Sequence, residues 1–527
     1  MASPDVLVIG SGAAGLSSAI AATEAGARKV LLIDKCPREW AGGNGYFTAG
    51  AYRTAHDGLS SLLPLVNNVS PETAKLIDIE PYTAAHFGAD LNRVTGGRAD
   101  KDLGRELVEG SAGATQWLKD VGVRFQMSFN RQAYMVDGRY KFWGGLALKV
   151  QDGGKGLIED LMASARRAGV EMWFECAATK LLLDADGSAS GVVIKRKNSS
   201  GAEEIVTIPT KSIVMAAGGF EANPRLRAQY LGHGWDLAYV RGTPYNTGDG
   251  LEMAVRDASA KQAGNWSGCH SVAWDANAPP DSGDREVSNE FTKSGYPLGL
   301  MLNTQGERFV DEGVDLRNFT YARFGKAILG QPGGAVFQVW DARTTGWLRD
   351  EEYRPEIVAR IEAGSIEELA EKCAQRGLEN PAAFKQTLKE YNEAVYAHQK
   401  EKPDLKWDPA VKDGLSTQSS ARSLKLAKSN WALPLDKAPF LAVKVACGIT
   451  FTFGGLAIDP RDASILSSVT GRGVPGLFCA GEMVGGLFYG NYPGGSGLTA
   501  GAVFGRKAGT AAAAAAAKSR SGQRARL

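Results

Sequence analysis

The chain has 527 residues, and at about 150 residues per domain it should hold two or three packed units. Its composition is 44% hydrophobic and 22% charged, with 60 Lys+Arg against 58 Asp+Glu. So even a balance excludes a polyelectrolyte surface and with it nucleic acid as a partner class, and no run of about 18 apolar residues offers a membrane span.

The chain enters its first strand-like run at Asp5 with no basic-then-apolar leader, so a cytoplasmic location is expected. Its last three residues, Ala525, Arg526 and Leu527, form a small–basic–leucine tripeptide like a peroxisomal address, which is the alternative. The six cysteines, Cys36, Cys176, Cys269, Cys373, Cys447 and Cys479, contain no C-x-x-C pair. That spacing excludes a clustered zinc or iron–sulfur site and an attached c-type haem, and leaves reduced thiols.

Residues 5–16, DVLVIGSGAAGL, read as a short buried strand, a tight turn and a helix start. The turn carries Gly10, Ser11, Gly12, Ala13, Ala14 and Gly15. Gly10 permits the turn, Gly12 lets backbone approach a pyrophosphate, and Gly15 lets the helix pack on the strand. The next strand, VLLIDK, ends on Asp34 and Lys35, placing an acid where ribose hydroxyls would lie. A dinucleotide site follows from this context. AGGNGYFTAG, residues 41–50, then brings Gly42, Gly43, Asn44, Gly45 and Tyr46.

Residues 152–196 read helix, strand, turn, strand, and Ala177 and Ala178 lie ahead of the turn. KSIVMAAGGF, with Ala216, Ala217 and Gly218, and VPGLFCAGE, with Gly481 and Glu482, are apolar strands closing on small residues. Strand ends of this form suit a large planar cofactor, and their dispersal along the chain favours FAD over exchangeable NAD. NTGDG supplies Gly248 and Asp249. Residues 365–402 have helical periodicity, with Pro381 at a helix start. Lys402–Lys428 reads as a surface connection.

Residues 486–509, GLFYGNYPGGSGLTAGAVFGRKAG, put eight glycines in and before an apparent helix. Such backbone freedom is costly and implies close backbone approach. With the motifs GGN, AAGGF, NTGDG, GERFVDEGVDLRNFTYARFG (306–325) and TFGGLAID (452–459), the chain resembles the flavoproteins of the fumarate reductase and succinate dehydrogenase family. It is most similar to the tricarballylate-dehydrogenase-like branch, and related to the 3-ketosteroid Δ1-dehydrogenases.

The resemblance implies an α/β fold in which a Rossmann-like FAD-binding domain, residues 1–267 and 433–517, is interrupted by a smaller α+β cap, 268–432. A basic disordered tail, 518–527, is expected to follow. It implies that Ser496, Gly497 and Leu498 present the N-terminus of the last helix to the flavin, and that FAD is bound non-covalently, since the segment after Gly42 has no histidine before His56. Arg317 inherits the place of the family's acid/base arginine after one extra residue, with Asp311 and Glu312 as relay candidates. His270 inherits a substrate-binding place.

Phe451 stands where fumarate reductases place a histidine, and Tyr492 and Pro493 where they place a carboxylate-clamping arginine. Phe451, Thr452, Phe488 and Tyr489 then wall a partly apolar substrate, with Tyr492 and Tyr321 as further proton-transfer candidates. The function expected is α,β-dehydrogenation, or reverse C=C reduction, of a carbonyl-activated small molecule. Electrons pass to oxygen or a separate carrier. A tricarballylate-like polycarboxylate dehydrogenase and a non-catalytic flavin redox sensor are the alternatives weighed.

Overall fold

The computed structural model describes residues 3–198 and 200–524, with side chains to Arg520, so Ala525–Leu527 lie outside the described residues. The strands that frame the site are, in chain order, β1 (Val6–Ile9), β2 (Val30–Ile33), β3 (Glu171–Trp173), β4 (Ile213–Met215), β5 (Gln262–Asp275), β6 (Phe440–Leu456) and β7 (Gly473–Cys479). The helices are α1 (Ala13–Glu24), α2 (Gly153–Arg167), α3 (Asp249–Ala258), α4 (Tyr321–Leu329) and α5 (Ser496–Arg524).

The first sheet runs β7, β4, β1, β2, β3, all parallel, with Ser464–Leu466 antiparallel on the β7 edge. Every residue of β1, β2 and β4 is buried, as expected of strands covered on both faces. β1 sits between the strand that follows it at once and one that arrives some 200 residues later, so the crevice at its carboxyl end is a topological switch point.

The second sheet is built on two long antiparallel strands, β5 and β6, in register from Gln262 opposite Leu456 to Asp275 opposite Val445. The ladder breaks between Asn265 and Cys269 and again between His270 and Ser271. β6 also pairs Val336–Trp340, and through it Leu300–Asn303. Two larger apolar cores and a small one of Val272, Trp274 and Ala278 form on this sheet, apart from the large core around the first sheet. The expected boundary at Gly268 falls inside β5, so the chain crosses between the two parts within one strand, at the break in its ladder between Asn265 and Cys269.

α5 answers the question raised by the glycine-rich C-terminal stretch. Gly501, Gly505 and Gly509 recur every fourth residue and face α1: a Cβ would stand 2.8 Å from Ala14 O at Gly505 and 2.1 Å from Ser18 O at Gly509. Gly505 and Gly509 let the two helix backbones touch, and Gly501 also lines the cavity described below. The expected disordered tail is corrected in part, since α5 continues helical to Arg524 and Arg520 pairs with Asp5 beside β1. The helix expected at Pro381 runs Pro381–Glu401. In the connection after it, Lys428 is buried, its Nζ donating to Gly299 O at 2.6 Å.

Candidate active site

One cavity runs from the β1–α1 turn to an aromatic cluster on β5 and β6. At the turn Gly10 has φ +108°, and a Cβ there would lie 2.3 Å from Ala216 O. At Gly12 nothing stands closer than Gly42 O at 3.8 Å, so this glycine opens onto the cavity. α1 begins with no side-chain cap, and Ala13 and Ala14 line the cavity, leaving first-turn N–H groups aimed at an anion.

Asp34 and Lys35 line the same end. Asp34 Oδ2 accepts from Ser11 N and Oγ, both at 2.7 Å, which fixes the carboxylate beside the turn. Lys35 Nζ meets Asp249 Oδ2 and Thr247 Oγ1, each at 2.5 Å. Gly43, Asn44, Gly45, Ala178, Ala216, Ala217 and Gly218 continue the wall, and Gly481, Glu482, Gly497 and Leu498 close it. The amides of Gly497 and Leu498, in the first turn of α5, have no intrahelical acceptor. A glycine cradle, two uncapped helix N-termini and a ribose-side acid fit FAD. His56, the first histidine after the second strand, packs on the Tyr82 ring and accepts from Gly58 N at 3.2 Å, away from the cavity lining.

Other expected cofactor residues support this wall without lining it. Ser11 holds Asp34; Gly15 packs under Gly10; Gly42, at φ +110°, packs on Ile158. Gly248 caps α3 at φ +89°, Ala177 pairs Lys195 in a ladder, and Ser496 Oγ turns back to Pro493 O at 2.5 Å. Tyr46 points elsewhere: its ring lies under the Arg285 guanidinium at 3.3 Å.

At the far end the rings of His270, Phe451, Phe488 and Tyr492 converge, with His270–Tyr492 centroids 4.6 Å apart and Phe451–Tyr492 5.1 Å. Tyr321 stands 6.0 Å from His270. All five line the cavity, as does Thr452. The break in the β5 ladder after His270 turns that ring toward Phe451 opposite. Burial, then the nearby Arg241 charge, hold the imidazole pKa well below its usual 6.5, so His270 is neutral. Burial pushes the Tyr492 phenol up to about 12, against the pull of Arg241.

Two expectations at this end are corrected. Tyr489 is only half buried, bridges locally to Asn491 and does not line the cavity. Arg317 is buried one layer behind it, its guanidinium 5.1 Å from the Trp143 ring and its Nη2 donating to Arg131 O at 2.5 Å. The relay candidates do not reach it: Glu312 pairs with Arg308 and Asp311 bonds Ser429, whereas Arg317 feels Arg349 and Glu352. Sequence reasoning missed the cations that do line the cavity, Arg131 and Arg241, together with Gln132 and Asn289.

It also missed a carboxyl pair. Glu221 Oε1 accepts from Asn246 Nδ2 at 2.6 Å and from Asn44 Nδ2, while Glu482 Oε1 accepts from Thr452 N at 2.8 Å. Glu221 is fully buried and Glu482 stands half-buried beside it on the cavity wall; burial, reinforced at Glu482 by the Glu221 charge, raises both pKa values above the ordinary 4.5. A raised folded-state pKa means the native state keeps a proton that the unfolded chain has released, so stability falls as pH rises above about 4.5. Glu221→Gln should remove part of that loss. In urea titrations from pH 5 to 8, the variant is expected to gain on the wild type by up to about 1.4 kcal/mol per pH unit until the native pair itself ionises. A constant difference across that range would show that the pair shares no proton.

The FAD binding domain family matches residues 5–59 and 81–498 of this sequence. The chain belongs to that family. This FAD-binding protein is 26% identical to a probable fumarate reductase of Shewanella frigidimarina (strain NCIMB 400), over 96% of the chain and 74% of the relative. It is 25% identical to the 4-oxocyclohex-2-ene-1-carboxylate 5-dehydrogenase of Sinomonas cyclohexanicum, over 96% and 93%. Its fold follows the 3-ketosteroid Δ1-dehydrogenase of Sterolibacterium denitrificans with a TM-score of 0.69 at 19% identity, covering 97% of the chain and 99% of that one. The FAD-binding family and these relatives make it an FAD-dependent enzyme. Among the described residues no helix is long and apolar enough to cross a membrane, and no group of acids, histidines and cysteines is placed to hold a metal.

Proposed function

We propose that the enzyme acts on a CH–CH or C=C bond next to a carbonyl in a small, partly apolar molecule. The observation that carries this reading is the convergence of Tyr321, Tyr492, His270, Phe451 and Phe488 at the cavity end opposite the phosphate-binding turn. FAD, when bound, supplies the hydride acceptor or donor. The chain's residues do the rest: the rings exclude water and sandwich the substrate body, and a phenol exchanges the proton at the neighbouring carbon.

Tyr492 is the residue assigned to that proton. Its phenol lines the cavity and stays protonated at neutral pH, so it is set to donate in the C=C reducing direction. Tyr321, also lining the cavity, is the second phenol; Arg317 would have to act through the Trp143 layer. Residues 268–432 form the proposed cap, and an external carrier or oxygen completes the electron balance.

The test is stopped-flow oxidation of the chemically reduced holoenzyme by cyclohex-2-enone, with Tyr492→Phe, Tyr321→Phe and Arg317→Lys compared. Tyr492→Phe should slow flavin reoxidation about 10²- to 10⁴-fold while leaving enone affinity nearly unchanged. Full rates in both tyrosine variants, with loss in Arg317→Lys, would return the proton to the arginine.

A second reading, oxidation of a tricarballylate-like polycarboxylate, draws on the two arginines among the cavity-lining residues, Arg131 and Arg241. An anaerobic titration decides between the two: bleaching of the flavin band by tricarballylate, but not by cyclohexanone, selects the polycarboxylate.

A further inference from the structure

Arg241 follows the short strand Tyr239–Val240, and its N–H donates to Ile449 O at 2.9 Å. The side chain is 6% exposed, yet it lines the cavity beside His270, Tyr321 and Tyr492. Nη1 donates to Thr450 Oγ1 at 2.9 Å and Nη2 to Asn289 Oδ1 at 2.5 Å, both neutral acceptors, and Nε has no partner. Three of its five N–H groups are left without an acceptor.

The other cations of the cavity wall are neutralised. Lys35 pairs with Asp249, and Arg131 pairs with Glu351 at 2.5 Å and Glu352 at 3.1 Å. Among the described residues no carboxylate comes within ion-pair distance of Arg241; its flat face lies 5.5 Å from the Trp274 ring instead. A buried guanidinium without a counter-charge is costly, and a neutral carbonyl does not remove that cost, whereas a carboxylate meets it with paired, charge-assisted hydrogen bonds. The aromatic rings around it accept a flat apolar body but no second anion.

We propose that Arg241 anchors a single carboxylate of the substrate, and that the substrate class is a cyclic or aromatic-like monocarboxylic acid whose apolar ring enters the cage of Phe451, Phe488 and Tyr492. The inference rests on the CH–CH reading above for its reaction but not for its binding. Thr450 and Asn289 are then positioning residues that aim the guanidinium.

The probe is benzoate against neutral benzamide, titrated into the FAD-loaded protein and followed by the shift of the flavin band and by calorimetry. Wild type should prefer benzoate by about 10- to 100-fold, Arg241→Gln should reduce that preference to near unity, and Thr450→Val should weaken benzoate several-fold without moving benzamide. Equal binding of the two probes by wild type overturns the anchor, as does a preference that survives in Arg241→Gln. Should Arg241→Gln lose its FAD, the Thr450→Val comparison decides, and an unchanged benzoate affinity there counts against the proposal.

The reaction is checked separately with reduced enzyme and cyclohex-1-ene-1-carboxylate or cyclohex-2-enone. Reoxidation by cyclohex-1-ene-1-carboxylate with equal KM in wild type and Arg241→Gln sinks the anchor and keeps the CH–CH reading. A benzoate preference with no reoxidation by either alkene does the reverse.

Discussion

Replacing Glu352 by glutamine is expected to cost about 3–5 kcal/mol of unfolding free energy, among the largest effects of any single change outside the cofactor site. Glu352 is fully buried and accepts from Ser294 N at 3.0 Å, Ser294 Oγ at 2.6 Å and Arg349 Nη1 at 2.7 Å, with Arg131 Nη2 at 3.1 Å. Burial alone would raise its pKa, but Arg349, Arg131 and Arg317 overcome that and hold it far below the usual carboxylate range. Glutamine keeps the shape and strands Arg349 and Arg131 beside Arg317 with one countercharge fewer.

The pH dependence has a definite sign. A depressed folded-state pKa contributes stability that is complete above the unfolded value of 4.5 and is lost as pH falls toward the native value. The gap between wild type and Glu352→Gln, measured by guanidinium unfolding, should therefore be constant at pH 6–8 and shrink below pH 4.5. Glu351→Gln, at a side chain that is itself 29% exposed, should cost only about 1 kcal/mol. A loss under about 1 kcal/mol at Glu352 would mean that the arginines find water or one another's backbone instead. The experiment also bears on activity, because Arg131 O is the shared acceptor of Arg317 and Arg349 and Arg131 is one of the cavity-lining residues.

The nucleotide end was legible in the sequence because its determinants are local. A strand, a G-x-G-x-x-G turn and a helix occupy twenty consecutive residues, and the structure puts Gly10, Gly12, Ala13, Ala14 and Asp34 on one cavity. The aromatic end was legible through the resemblance, which brought His270, Tyr321, Phe451 and Tyr492 together from four separate segments.

What was not legible is charge pairing across the fold. Arg241 stands five residues before NTGDG, a motif noted for its glycines, and nothing local says that its side chain finds only Thr450 and Asn289. Glu221 and Glu482 each follow a glycine-rich strand end, and only the parallel pairing of β4 with β7 makes them neighbours. Arg317 shows the converse error: position in a motif carried it to the right region, but Trp143 and the Arg131 backbone take up its guanidinium.

Gly15→Val is expected to yield protein with less than about a tenth of its FAD, read from the ratio of flavin to protein absorbance after purification. The first added carbon would stand 1.9 Å from Gly10 O, and Gly10 cannot retreat, since its own Cβ position is 2.3 Å from Ala216 O on the adjoining strand. α1 would have to lift off the sheet, withdrawing the Gly12, Ala13 and Ala14 backbone from the cavity. α5 opposes that movement from the other side, because Gly505 and Gly509 let it touch the α1 backbone at Ala14 and Ser18.

Gly509→Val should therefore also deplete FAD, although it lies outside the cavity lining and changes nothing in the glycine fingerprint. Gly26→Ala is the control for backbone strain alone: φ is +90° with no atom within 4 Å of the new carbon, so a cost of about 1–2 kcal/mol with full FAD content is expected. Full flavin in Gly509→Val alongside colourless Gly15→Val would show that α1 is held by the sheet alone. Depletion in both would establish that the glycine-rich C-terminal helix serves the cofactor twice, by its N-terminus at the cavity and by the clamp it closes on α1.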